Sequence, residues 1–403
     1  MKRLLCVLAV LFLVEAPAAR AQSLLAEADE GRGDLGELLR LSGTFWSRLL
    51  GDRPEGNPFE SLDEGFRRYD VTPEIGGVVP GSGIGLGFTH RLWHEGQSAV
   101  RWSALATSKG YFQLALVHET VLKGNERFRL RTSLLHRDLA QEDFFGLGLE
   151  SERLDRTDYS LRETAVGSEL DVALSRTVGL RIGGDLRRLG ARSGENRALP
   201  SPEIRFGPAA IAGYGDDFAY ATIGAALFWD TRDEPGYPRR GSLIQGDLRQ
   251  FIGLGTGDPG FRRFGVELQN ALPLPGHDHG LVTRFRADWL DHGSETEIPF
   301  FFTRGLGGSH SLRGFPLNRF RGEDLVLATV EYRSAIVPGK LDAVVFWDTG
   351  GAYRSFSDMR LGGLEHSFGA GIRVLRRDRI LLRLEVAQGS EGPQFLVSFS
   401  RPF

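Results

Sequence analysis

Arg127-Phe-Arg-Leu-Arg-Thr-Ser-Leu134 is the stretch on which the fold turns. Phe128, Leu130, Thr132 and Leu134 alternate with Arg127, Arg129, Arg131 and Ser133, and a period of two puts the two sets on opposite faces of a β-strand. A soluble sandwich must bury an apolar face and has no use for a row of arginines opposite it. A barrel in lipid reverses the logic, because the apolar face meets hydrocarbon and the charged face lines a wet lumen. The alternation continues in both directions. Upstream, Gly81, Gly83, Gly85 and Gly87 share one face and Ile84, Leu86 and Phe88 the other; Val100, Trp102, Ala104 and Ala106 alternate with Arg101 and Ser103, and Phe112, Leu114 and Leu116 with Gln113 and Ala115. Downstream, Leu180 and Ile182 alternate with Arg181 and Gly183, Phe285 and Trp289 with Arg284, Arg286 and Asp288, and Phe395, Val397 and Phe399 with Leu396, Ser398 and Ser400. Sixteen candidate segments lie between Gly76 and Phe403, the first glycine-rich around Gly76 to Gly87 and the weakest patterned being 200–214 and 242–251, while longer polar stretches such as 138–158 read as loops that face outward. An even number closes an antiparallel sheet with both ends on one side and no edge facing lipid. The expected fold is all-β: a transmembrane antiparallel β-barrel of about 16 strands over residues 76–403.

The composition fits. The chain of 403 residues holds 53 glycines, well above the usual share of about 7%, and glycine disfavours helices. A mean hydropathy of -0.20 resembles a soluble protein, yet barrel strands of about 9 to 11 alternating residues hardly raise that mean. Lys2 and Arg3, the apolar run from Leu4 to Val14 and Ala19-Arg20-Ala21 read as a signal peptide over residues 1–21, and this carries away Cys6, the only cysteine. Disulfides and thiolate metal sites are thereby excluded. No later run reaches the ~18 apolar residues of a transmembrane helix, and a net charge of -3 gives no sign of nucleic acid as a partner. Residues 22–75 read as a short periplasmic segment. Leu35, Leu38, Leu39, Phe45, Trp46, Leu49 and Leu50 fall mostly on one side of an amphipathic helix between Asp34 and Gly51, its apolar face packed on protein, laid on a membrane surface or plugging a pore. Residues 52–73, with Pro54, Asn57, Pro58 and several charges, read as a linker.

Three segments go beyond a generic barrel: Arg304-Gly-Leu-Gly-Gly-Ser-His-Ser-Leu-Arg-Gly-Phe315, with Ala328-Thr-Val-Glu-Tyr-Arg333 after it; Phe346-Trp-Asp-Thr-Gly350; and Asp230-Thr-Arg-Asp-Glu-Pro-Gly-Tyr-Pro-Arg-Arg-Gly241. In order and spacing, and with the terminal Phe403, they resemble the carboxy-terminal barrel of the BamA/TamA (bacterial surface antigen) superfamily of outer-membrane proteins. The resemblance implies sixteen strands and a loop after the eleventh that folds into the lumen. There Arg313, within Arg313-Gly314-Phe315, would pair with Asp348 on the wall, with Glu331 as second candidate. It also implies that Asp230, Arg232, Asp233, Pro235 and Gly241 form a periplasmic turn, and that Phe399 and Phe403 carry the barrel-assembly signal. The alternation independently sets Asp348 on the face away from Val345 and Trp347. Family members that assemble or translocate proteins carry POTRA domains of roughly 75 residues, and residues 22–75 fit none.

Other chemistry finds little support. Gly81 to Phe88 lacks the third glycine of a dinucleotide-binding loop. His277-Asp278-His279 sits in a turn after Pro275-Gly276, and Ser309-His310-Ser311 has no identifiable third partner for a nucleophile. No cofactor, metal or enzymatic activity is expected. The expected role is assistance in inserting or moving protein, or lipid, at a Gram-negative-type outer membrane. A monomeric barrel would contact outer-membrane lipids, client proteins and a separate periplasmic partner. The rival readings are a passive pore or structural barrel and, further off, an outer-membrane lipid hydrolase.

Overall fold

The computed structural model describes residues 32–34 and 70–398, apart from 77, 80–81, 123–126, 208–210, 235, 277–278, 295 and 377–378. The amphipathic helix, apart from its expected start at Asp34, and Phe399 and Phe403 lie outside the described residues.

Sixteen antiparallel strands follow one another: β1 (Val71–Gly76), β2 (Gly85–Glu95), β3 (Ser98–Thr107), β4 (Phe112–Val121), β5 (Phe128–Phe144), β6 (Thr157–Ala173), β7 (Val178–Ser193), β8 (Asp217–Asp230), β9 (Gly241–Gly253), β10 (Phe261–Pro273), β11 (His279–Asp291), β12 (Asp324–Val337), β13 (Leu341–Tyr353), β14 (Glu365–Arg376), β15 (Arg379–Gly389) and β16 (Gly392–Ser398). Each pairs with the next in sequence, including β11 with β12 across a long loop. Arg32–Asp34 pairs with Glu74–Gly76 on the edge of β1 that β2 leaves open. The sheet is strongly curved. In a flat sheet the β5–β6 and β15–β16 hairpins, ten strands apart, would stand about 48 Å from each other, yet Arg153 Nη1 in the first donates to the Glu391 carbonyl in the second at 2.6 Å.

Register sets the two faces. Leu116, Leu134, Val166 and Leu186 are paired in a row across β4 to β7, and all four are exposed on the outer wall. Val330, Val345, Phe368, Val386 and Phe395 extend the apolar wall through β12 to β16. The alternate positions, among them Glu163, Arg181, Arg284, Glu331, Asp348, Arg373 and Glu385, are buried inside. Here the charged residues fill the interior and the apolar ones face out, as the alternation from Arg127 to Leu134 requires. Connections at 96–97, 174–177 and 338–340 mark a short-turn end, and those at 145–156, 194–216 and 292–323 a long-loop end.

Three strand readings are corrected. The candidate at 200–214 is a loop bearing the short helix Pro202–Phe206; Ile204 and Phe206 mimic alternation, but Pro200 and Pro202 deny the segment ladder donors. The missing strand is instead Val71–Gly76, which straddles the end of the linker read over 52–73 and the expected start of the barrel at Gly76. The glycine-rich run from Gly76 to Gly87 is accordingly no single first strand: it spans the end of β1, a connection and the start of β2. The polar stretch 138–158 is also less loop than its composition suggests, since β5 continues past a bulge between Leu139 and Glu142 to Phe144.

Candidate functional site

The lumen is occupied by residues 292–323, which leave β11 and return to β12. A two-stranded ribbon, Arg304–Leu306 paired with Phe320–Gly322, gives this excursion a stem. Its tip is closed by Ser311, whose hydroxyl accepts from Gly307 N and donates to Gly307 O, both at 2.8 Å. The stem delivers Arg313 to the wall formed by β12 to β15. Arg313 Nε and Nη2 donate to the two Asp348 carboxylate oxygens at 2.9 and 2.8 Å, its backbone N–H adds a bond at 3.2 Å, and Nη1 reaches Glu331 at 3.0 Å. The Phe346 ring lies 3.3 Å beneath the guanidinium. Asp348 is further held by Thr329 and Ser367, its ladder neighbours on either side. Gly314 packs backbone to backbone on β15, where an added Cβ would stand 2.5 Å from Gly389 N. Phe315 is fully buried against Phe320.

Alternation and resemblance pointed to Arg313, Asp348 and Glu331; the structure adds the rest of the network. Glu331 also accepts two bonds from Arg373, each 2.6 Å, and one from Arg333 at 2.7 Å. Glu385 accepts from Arg373 at 2.8 Å and from Arg383 at 2.7 Å, and Arg383 Nη2 also reaches the Ser309 carbonyl. Four arginines thus face three carboxylates, a charge excess of one. Arg373, Arg383 and Glu385 lie on β14 and β15, where register sets Arg373 opposite Arg383 and Gly371 opposite Glu385, and nothing in the sequence local to them signalled a shared centre.

The turn at 231–240 enters the lumen from the other end. Asp230 closes β8 and binds Arg232, which is buried and also donates to Gln269 at 2.8 Å. Asp233 Oδ1 collects the backbone N–H groups of Glu234, Arg239 and Arg240, Gly241 starts β9 at φ +97°, and Pro235 lies outside the described residues. This arrangement points Tyr237 inward. Its hydroxyl donates to Asp342 at 2.9 Å, and Arg333 stacks 4.1 Å over its ring while donating to the Pro238 carbonyl. Arg333 and Glu331 therefore connect the turn from one end to the loop from the other.

At the long-loop end Phe300, Phe301 and Phe302 pack with Phe144, Tyr159, Tyr220, Phe251 and Phe261 into an aromatic cap. The base of the loop is clamped by His292, whose Nε2 lies 2.8 Å from a Glu323 carboxylate oxygen. Burial opposes the charged imidazole, but the Glu323 bond and the Gly293 carbonyl hold its pKa above the ordinary 6.5. Because the folded-state pKa is the higher one, the stabilisation is complete below about pH 6.5 and disappears as pH rises through the folded value. Hydrogen exchange across the loop base should therefore be slower in the native chain than in His292→Gln at pH 5.5, with the gap closing toward pH 8.5. A gap that widens with pH contradicts the clamp.

Among the described residues no group of three His, Cys, Asp or Glu side chains is placed to hold a metal. His279 opens β11 and meets Tyr332; His277 and Asp278 lie outside the described residues. Ser309 Oγ stands 2.9 Å from His310 Nδ1, inside the loop tip.

A sixteen-stranded sheet with an apolar outer wall, a charged interior and an in-folded loop defines an outer-membrane β-barrel with an occupied lumen. The family model described as the Omp85 superfamily domain matches residues 82–387, and the chain belongs to that superfamily. Among solved structures, BamA from Haemophilus ducreyi lacking POTRA domains 1–3 is similar with a TM-score of 0.59 at 14% identity, over 84% of this chain and 78% of that one. CdiB from Escherichia coli matches at a TM-score of 0.50 and 12% identity, over 82% of this chain, which spans 61% of that protein. At such identities the likeness is one of fold. No curated protein matches the chain. The family places the barrel in a Gram-negative-type outer membrane.

Proposed function

We propose that this barrel assists the insertion or translocation of protein, or of lipid, at the outer membrane, and that the working element is the seam between β16 and β1. One observation carries the reading. β1, on one side of the seam, is the shortest of the sixteen strands, with 6 residues against 17 in β5 and β6. The strands on both sides of the seam carry a proline, Pro73 in β1 and Pro393 in β16, which removes a backbone donor. Among the described residues no ladder joins β16 to β1, and Glu74–Gly76 pairs there with Arg32–Asp34 instead; strands this short and lacking donors make a closure that costs little to open, and an open edge offers N–H and C=O groups to an incoming strand. The membership of a family whose members assemble or translocate proteins supports the same role. The long loops then face outward and the short turns and amino terminus face the periplasm, as in bacterial barrels generally. A lumen occupied from both ends favours this over a passive pore.

Cys6 is the only native cysteine, so the seam can be locked directly. Pairing Thr72→Cys in β1 with cysteines placed in turn at Gln394, Leu396 and Ser398 in β16 should yield one crosslinking pair. That pair should abolish insertion of a barrel client into liposomes under oxidation and restore it under reduction. Full activity with the seam locked refutes the reading.

A further inference from the structure

The inserted loop reaches the seam through a contact that neither the alternation nor the motifs announce. Arg319, just before the returning arm of the ribbon, has a side chain only 3% exposed. Its Nε donates to Glu391 Oε1 at 2.7 Å, Nη1 to Ser151 Oγ at 2.8 Å and Nη2 to the Ser151 carbonyl at 2.6 Å. Phe320 and Phe145 flank the guanidinium, 4.6 and 5.2 Å from it. Glu391 belongs to the turn between β15 and β16, and Ser151 to the loop between β5 and β6. The same turn is gripped again by Arg153, whose Nη1 donates to the Glu391 carbonyl. Two residues earlier in the chain, Gly389 at the end of β15 lies against Gly314 of the loop tip.

We propose that Arg319 is a positioning residue that latches the final hairpin to the inserted loop, so that the seam opens only when this latch is released. The proposal rests on the reading of the seam given above and adds what controls it. The physical case is one of place and cost. Among the described residues β16 has a ladder partner on one side only, the β15 strand, and pairs with it over Arg383 to Ser398. Its other support is the turn that carries Glu391. A buried guanidinium with three partners on two separate loops fixes that turn against both, and withdrawing it leaves the Glu391 carboxylate without its cation. Movement of the loop along the lumen would thus free the last hairpin at its outer end, while the ladders of β5 to β12 stay intact. Sequence reading had no route to the contact, because Arg319 and Glu391 are 72 residues apart and belong to no shared period.

The test is peptide-resolved hydrogen exchange on the full-length barrel in nanodiscs. Arg319→Gln and Glu391→Gln should each speed exchange in Gly392–Ser398 several-fold, with Asp217–Gly253 unchanged. Arg319→Lys should fall between native and Arg319→Gln. The double variant should match the single ones, since both remove one interaction. Unchanged exchange in the last hairpin, additive effects, or a rise spread evenly over all strands overturns the latch. Should Arg319→Gln fail to fold, Glu391→Gln in its two-residue turn carries the same comparison. The two readings fail separately: a released hairpin in a barrel that stays active with its seam locked refutes the seam function and leaves the latch, whereas an inactive locked barrel with unaltered exchange refutes the latch alone.

Discussion

Arg313→Ala should convert a heat-resistant folded barrel into one that unfolds at a much lower temperature on a semi-native gel. The side chain satisfies both Asp348 oxygens, one Glu331 oxygen and the face of Phe346, all in a site closed to solvent. Alanine leaves a carboxylate at Asp348 with only Thr329, Ser367 and a backbone N–H as donors. Removing one partner of a buried pair costs about 3–5 kcal/mol, because the other charge stays in a poorly solvating place. Lysine at the same position keeps the charge but loses the planar two-pronged fit to Asp348, so Arg313→Lys should recover only part of the loss. The loop tip loses its main anchor, and planar-bilayer recordings of Arg313→Ala should show frequent openings where the native barrel stays nearly closed. Native heat resistance together with a quiet baseline in Arg313→Ala contradicts the anchoring role.

How much of this was legible in the sequence follows from the range of each interaction. The face of every strand residue is a local property with a period of two, so Arg129 and Arg131 could be turned inward, and Leu130 and Leu134 outward, from eight residues. Asp348 could be turned inward in the same way, from Val345 and Trp347. That Arg313 meets it is not local: a loop arginine is ordinarily solvated, and only the resemblance of its surroundings to a known family singled it out. Tyr237 shows the limit more sharply. Asp233 collects the backbone N–H groups that close the turn around it, but turn residues describe how the chain reverses and say nothing about which side of the wall the turn falls on. Arg333 over the Tyr237 ring decides that, from 96 residues away in the chain. The misplaced strand has the same origin. Pro73 spoils the local pattern of β1, and pairing to Phe88 in β2 restores it, whereas Ile204 and Phe206 keep a local pattern for which the sheet has no vacancy.

Glu331→Gln should be more damaging than Arg313→Ala, although it changes neither shape nor volume. Glu331 is the point at which the network is joined: Arg313 from the loop, Arg333 from the wall beside the Tyr237 turn, and Arg373 from β14 all donate to its two oxygens. The native lumen centre sets four arginines against Glu331, Asp348 and Glu385. A glutamine leaves four guanidiniums facing two carboxylates and turns an amide N–H₂ toward at least one of them, so each of the three partners keeps a buried charge with less to balance it. The loss should exceed the ~3–5 kcal/mol of a single broken pair, and it should loosen both plugs at once, since Arg333 holds the Pro238 carbonyl and Tyr237 as well as Glu331. Two measurements follow: a heat-modification temperature below that of Arg313→Ala, and bilayer currents carried by anions, because the exposed lumen is left more positive. A compensating change separates charge balance from simple disruption. Removing one guanidinium restores the native excess of one, so Glu331→Gln combined with Arg373→Gln should be more heat-resistant than Glu331→Gln alone. If the double variant is instead worse than either single one, the network stabilises the barrel through particular hydrogen bonds and not through its balance of charge.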